Sequence, residues 1–474
     1  MEKRLFSSWI RKSNTPYFVI SGMLLGAFVG MFSETSLNIA LPTLVKSFAT
    51  TTATVQWLVT GYMLVIGIIL PLSSIISKWF TTRQIISFAL IDFMVGAAIS
   101  ALAPNFPLLL TRRMIQGIGT GLILPLMFAV TMQVFPPQKI GTAIGVNGLV
   151  IMFAPAIGPT LTGFILGKLS WNWIFWLFIP FLAIALFCTL KFLVNVEKVT
   201  RPRVDKLSIM ESVIGCSCLV VGVSFASTFG WLSWQVLTFL IIGIIILAAY
   251  TVRQVKLPVP ILKLQTLKNK NFAICVVIVM LDFGMMLSAM YLLPMYIQNS
   301  LMLPVALTGI VMLPGGVINA ITSAIAGRIY DYAGFKKPAI CRFIIALVGA
   351  VMLFFTTVHS SIAYVIAANV ILMIGGPLAM SPVQSGALNS LAPTDSGDGS
   401  TILNTVPQIF GAICTAIATS LLGMGQRSVT GSSPVQFVAG FHYGVSFTIT
   451  VIIIGIILVA LTKEQRKSVD VRHK

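Results

Sequence analysis

The sequence predicts an all-α polytopic membrane protein with fourteen transmembrane helices: two pseudo-symmetric six-helix bundles plus two inserted helices. Three observations carry this. The chain is 57% hydrophobic and only 9% charged, whereas a soluble domain carries about 25% charged residues. Its apolar runs are about 20 residues long, enough for a helix to cross a hydrocarbon core of about 30 Å. Its basic residues crowd onto alternate connections between those runs, the asymmetry that orients helices in a bilayer. A membrane barrel would show segments of about 10 alternating residues instead.

In chain order the spans fall at 17–41, 55–77, 84–103, 107–131, 140–165, 172–194, 209–229, 232–251, 272–297, 305–327, 338–358, 362–384, 398–424 and 441–462. Pro42 is expected to end the first, because proline lacks the backbone donor a helix needs. Pro104, Pro107, Pro136, Pro137, Pro258, Pro260, Pro304, Pro338 and Pro393 punctuate the later boundaries. Lys3, Arg4, Arg11 and Lys12 resemble the charged head of a cleaved signal, but the run behind them is too long for one. It reads as a retained first helix.

With the N-terminus inside, the inner connections hold most of the 31 Lys and Arg, Arg342 among them; Lys46, Lys168 and Arg427 fall outside. Both termini are therefore expected in the cytoplasm, with the chain in the cytoplasmic (plasma) membrane. The net charge of +19 becomes a topological signal that favours anionic lipid, not nucleic acid. The long basic stretches at 195–207 and 253–271 bracket spans seven and eight. Setting those two spans aside leaves six before and six after. The expected division is 1–194, 195–271 and 272–474, a weak internal repeat of the transporter kind.

Little else offers chemistry. Cys188, Cys216, Cys218, Cys275, Cys341 and Cys414 lie in or beside apolar runs without zinc-ligand spacing, and read as free thiols. His359, His442 and His473 are scattered, and no phosphate-binding glycine loop occurs. No cofactor, no metal and no catalytic residue are expected, so an ion gradient is the available energy source.

Buried polar groups are the informative residues. Glu34 sits inside the first span, where a carboxyl is costly and marks a functional site by default; Asn38 follows one turn later on the same face. In span four, Arg113, Gln116 and Thr120 form one polar stripe, with Arg112 beside it placed to snorkel to the surface. Span five carries Pro155, Gly158, Pro159 and Gly163 within Ala154–Gly163: two prolines a turn apart on a small-residue face. Plain packing explains the small residues but not both prolines. Asp282 lies near the middle of span nine beside Met285, Met286 and Met290, side chains that adapt to varied apolar ligands. Asn404 and Gln408 sit a turn apart in span thirteen. Trp171 to Trp176 open span six as an interfacial aromatic belt.

Taken together and in order, these motifs resemble the major facilitator superfamily, and within it the fourteen-span drug:proton antiporters of the EmrB/QacA type, including the lincomycin-efflux branch. Glu34-Thr-Ser-Leu-Asn-Ile-Ala-Leu-Pro42 looks like the family's first-helix signature, with Glu34 where Asp is usual. Arg113-Met-Ile-Gln-Gly matches its R-x-x-Q-G, and Ala154 to Gly163 its antiporter pattern. The inner loop after span two keeps only Arg83 of the family's gating pattern, with Lys78 in place of the usual Asp. The later copy keeps Gly327, Arg328, Asp331 and Gly334. The resemblance implies that spans one and four line one cavity. It assigns proton coupling to Glu34, Arg113 and Asp282, with a Glu34–Arg113 ion pair and Asp282 facing Glu34. It places Asn38, Gln116, Met286, Asn404 and Gln408 in the substrate cavity, a gating loop at Gly327, Arg328, Asp331 and Gly334, and a hinge at Pro155, Gly158, Pro159 and Gly163. The implied function is proton-coupled export of lipophilic or cationic drugs by a monomer, with small-molecule drugs, protons and the bilayer as partners. Export of a physiological peptide or lipid precursor is the alternative. A membrane enzyme or scaffold would need a paired catalytic constellation or a sizeable extramembrane domain, and the sequence shows neither.

Overall fold

The computed structural model describes residues 16–135, 140–195, 199, 205–257, 260–374, 376–391 and 396–462. Fourteen helical spans follow: α1 (Pro16–Ser47), α2 (Trp57–Trp79), α3 (Thr82–Ala101), α4 (Phe106–Val134), α5 (Ile140–Lys168), α6 (Asn172–Phe192), α7 (Lys206–Phe229), α8 (Trp234–Lys256), α9 (Lys270–Asn299), α10 (Val305–Ala333), α11 (Lys336–Phe354), α12, α13 (Ser396–Ser428) and α14 (Ser433–Leu461). α12 comes in two pieces, Ile362–Met373 and Gly376–Asn389. Thirteen spans are long and apolar enough to cross a membrane; the described apolar part of α10, Val305–Asn319, is shorter.

Short polar residues start these helices by satisfying amides that have no partner within the helix. Asn105 accepts from Leu108 N and Ser361 from Tyr364 N. Asn269 takes two amides, from Asn271 and Phe272. Thr81 and Gln84 form a reciprocal capping box. Pro42 does not end α1; the helix runs on to Ser47. Interior prolines recur in α2, α4, α5, α6, α9, α10 and α13. Buried helices tolerate them because neighbouring side chains can satisfy the freed carbonyls.

α1 packs on α4, α5 and α6, and α9 packs on α12, α13 and α14. Two seams join these groups: α5 against α10, the most extensive helix pair, and α2 against α13. α7 lies on the second seam, touching both α13 and α2, and α8 rides on α7 with most of its surface exposed. Leu232, between α7 and α8, is 90% exposed. The other end of this hairpin is clamped. Arg253 donates to both Asp205 oxygens at 2.5 and 2.9 Å, and Gln254 donates to Ser208 at 2.7 Å while accepting from Ile261 N. These Arg253 hydrogen bonds hold the Asp205 carboxyl well below the usual carboxylate range. The clamp would be lost only as pH falls through that depressed value, so it stays charged at neutral pH.

Candidate functional site

A cavity of about 1040 Å³, its open mouth included, lies between the two groups of helices. Met31, Met286, Met290, Met312, Met373 and Met380 line much of it, with Glu34, Thr35, Asn319, Asn369, Asn404 and Gln408 as its polar side chains among the described residues. Leu124 and Phe128 reach it from the second half of α4, and Leu403 and Asn404 from the first third of α13. The cavity therefore extends toward the end where α1 begins. The opposite end is shut. Thr160 donates to Gly309 O at 3.0 Å and Gln298 to Ile39 O at 3.1 Å. A methyl group added at Gly163 would lie 2.9 Å from Gly309 Cα, so only glycine permits α5 and α10 to approach this closely.

Glu34 is 1% exposed and meets the cavity directly. Its Oε1 accepts from Gln408 Nε2 at 3.0 Å, a bond from α1 to α13 across the two halves. Its Oε2 has no partner. The neighbouring proline pair of α5 is satisfied from the same helix as Glu34. Pro159 lacks the N–H that would bond Pro155 O, and Thr35 Oγ1 donates to that carbonyl at 3.1 Å. Thr35 Oγ1 also lies 2.6 Å from where a Gly158 methyl would be. Pro155 and Pro159 line the cavity; Gly158 and Gly163 pack against α1 and α10.

Three expectations are corrected. Arg113 is buried but does not pair with Glu34. Its fork donates to Ser33 Oγ and Ser33 O at 2.5 Å each, to Leu58 O at 3.2 Å and to Gln116 Oε1 at 3.3 Å. It also lies 3.6 Å from the centre of the Tyr62 ring. Neutral acceptors one residue before Glu34 thus take the guanidinium, leaving the carboxyl to Gln408. Second, Asp282 does not face Glu34: it is 2% exposed, lies off the cavity, and accepts from Arg342 Nε at 3.0 Å. Third, Asn38 and Gln116 are buried but do not line the cavity, because Gln116 turns to Arg113 and packs under Gly96.

Arg342 is the residue that sequence reasoning misplaced. Counted with the inner connections, it is 1% exposed inside α11 and donates to Leu372 O at 2.5 Å as well as to Asp282. Leu372 and Met373 end the first described piece of α12; Asn319 Nδ2 takes Met373 O at 3.4 Å. Pro377, four residues after Met373 and without an N–H, was the sequence signal for that free carbonyl. The side chains of Gly327, Arg328 and Asp331 lie outside the described residues. Gly334 closes α10 with φ +68°, a conformation that glycine adopts at no steric cost.

Two helical groups around a central cavity, sealed at one end by facing glycines, define a secondary transporter rather than an enzyme. The chain belongs to the Major Facilitator Superfamily, which matches residues 23–415. It is 42% identical over 434 residues to "Lincomycin resistance protein LmrB" of Listeria monocytogenes, covering 91% of this chain and 92% of that one. It is likewise 42% identical over 452 residues to the protein of the same name in Bacillus subtilis, covering 93% and 94%. Among solved structures, a peptide transporter POT in complex with sulfate superposes with TM-score 0.70 at 15% identity, covering 97% of this chain and 98% of that one. That likeness speaks for the fold alone.

Proposed function

We propose that the protein exports lipophilic or cationic drugs in exchange for protons, by alternating access around the central cavity. The observation that carries this reading is Glu34: a carboxyl inside a methionine-lined cavity, bonded across the two halves to Gln408, with one oxygen free. The relatives' name supports drug export. In the ionised state the free oxygen attracts a cation or a ligand N–H. A proton arriving at Glu34 removes that attraction, so proton and drug exclude one another at one carboxyl, which is antiport. The same proton alters what Gln408 donates to, and so acts on the contact between the halves. Each charge moved across the membrane gains about 2.3 kcal/mol per 100 mV. Arg113 holds Ser33 and α2 behind the carboxyl; Met286, Asn404 and Gln408 belong to the drug-binding wall. Pro155, Gly158, Pro159 and Gly163 are the hinge along which the halves rock. Both termini face the cytoplasm of the plasma membrane, and the cavity then opens inward in a working monomer.

The test is reconstitution of Glu34→Gln in liposomes under an imposed pH gradient. The variant is expected to lose drug-dependent proton flux while keeping its fold. Undiminished flux would end the carboxylate mechanism.

A further inference from the structure

Among the six described polar side chains that line the cavity, two hold a buried oxygen without a hydrogen-bond partner: Glu34 Oε2 on α1 and Asn369 Oδ1 on α12. The other four are engaged. Thr35 holds Pro155 O, Asn319 holds Met373 O, Asn404 holds Ser400 O, and Gln408 holds Glu34. An amide oxygen buried without a partner is costly, and such a group calls for an explanation.

The packing around Asn369 keeps that amide in place. Asn369 is 2% exposed, on the first piece of α12. Opposite it α10 carries Gly315, where a methyl would come 2.5 Å from Asn369 Nδ2. A glycine has made room for the amide. Three and four residues on, Arg342 and Asn319 hold the carbonyls of Leu372 and Met373, the second of which has no helical donor because Pro377 lacks an N–H. Asp282 neutralises Arg342 from outside the cavity. The Asp282–Arg342 pair thus fixes the end of the helix that presents Asn369, a positioning task with no contact to the ligand.

We propose that Asn369 is a second recognition point of this cavity, and that the ligand is an amine-bearing amphiphile with a separate neutral donor–acceptor group, a hydroxyl or a carboxamide. The amine meets Glu34 Oε2 from one half, and the hydroxyl or carboxamide meets the Asn369 amide from the other. This rests on reading the cavity as the drug site. Met286, Met290 and Met312 supply an adaptable apolar wall for the remainder of the ligand. A site with a buried amide discriminates against a ligand that leaves it unpaired far more sharply than an apolar wall discriminates by size. Asn369 is therefore the residue that separates hydroxylated amines from bare lipophilic cations.

The test uses two probes on the purified full-length chain: lincomycin, which carries an amine, an amide and hydroxyls, and tetraphenylphosphonium, a cation without hydrogen-bond donors. Dissociation constants for both are measured for wild type, Asn369→Leu and Gly315→Ala. The expected result is that Asn369→Leu lowers the preference for lincomycin over tetraphenylphosphonium about tenfold. Gly315→Ala, which displaces the amide without removing it, shifts the preference in the same direction. Equal weakening of both probes would mean that Asn369 only packs, and would overturn the proposal, as would an unchanged preference or a wild type that binds tetraphenylphosphonium alone. A wild type that binds neither probe would overturn the drug-export reading itself, and this inference with it.

Discussion

Arg113 and Arg342 are both fully buried arginines, yet they are satisfied in opposite ways. Arg113 spends its donors on Ser33, Leu58 O and Gln116 and stacks on Tyr62. A lysine carries the same charge but has a point-like head without the planar fork. Arg113→Lys is therefore expected to leave at least one of those four acceptors unpaired and to destabilise the protein by about 1–3 kcal/mol, read as a lower thermal unfolding midpoint in detergent. Arg342 has a counter-charge. Asp282→Asn strands a buried cation, and should cost about 3–5 kcal/mol. The double change Asp282→Asn with Arg342→Gln should recover much of that loss. A double-mutant cycle with no coupling would contradict the pairing. Arg113 was legible from its sequence pattern and its depth in a span. Arg342 was not: Lys336, Lys337 and Pro338 just before it read as the end of a basic loop. Its partner sits 60 positions earlier in the chain, on a helix whose facing side only tertiary packing reveals.

Among the helices, number and order could be read from hydropathy, because the bilayer demands a long apolar run whatever the packing. Interruptions could not. Pro42 reads as a stop by the rules for soluble helices, yet α1 continues to Ser47. The α5–α10 crossing could be anticipated as a small-residue stripe, but not its partner glycine, Gly309. A methyl there would lie 2.9 Å from Thr160 O and 3.1 Å from Pro159 O. Gly309→Val is thus expected to pry apart the sealed end, because backbone cannot yield as a flexible side chain does. Transport should fall more than about tenfold with the amount of folded protein maintained, since the clash acts on one state of the cycle and not on the fold. Chromatography on detergent-solubilised protein, set beside a transport assay, separates the two. Loss of folded protein in step with activity would mean that the crossing serves stability alone.

Across the whole molecule, orientation decides what the observed cavity does. The structure fixes only that the cavity extends toward the end where α1 begins and that the other end is closed by α5, α10, α1 and α9. In the proposed orientation, with the α1 start in the cytoplasm as the distribution of basic residues favours, this is an inward-open state, ready to load drug from inside the cell. Two positions test it directly. Leu232 is 90% exposed between α7 and α8, at the end opposite the α1 start. Lys337 is exposed at the beginning of α11, at the same end as the α1 start. In a background with the six native cysteines replaced, Leu232→Cys should react with a membrane-impermeant maleimide on intact cells, and Lys337→Cys only after permeabilisation. The reverse labelling would turn the molecule over. The cavity would then open outward in this state, and drug release, not drug loading, would be the step that the ionised Glu34 faces.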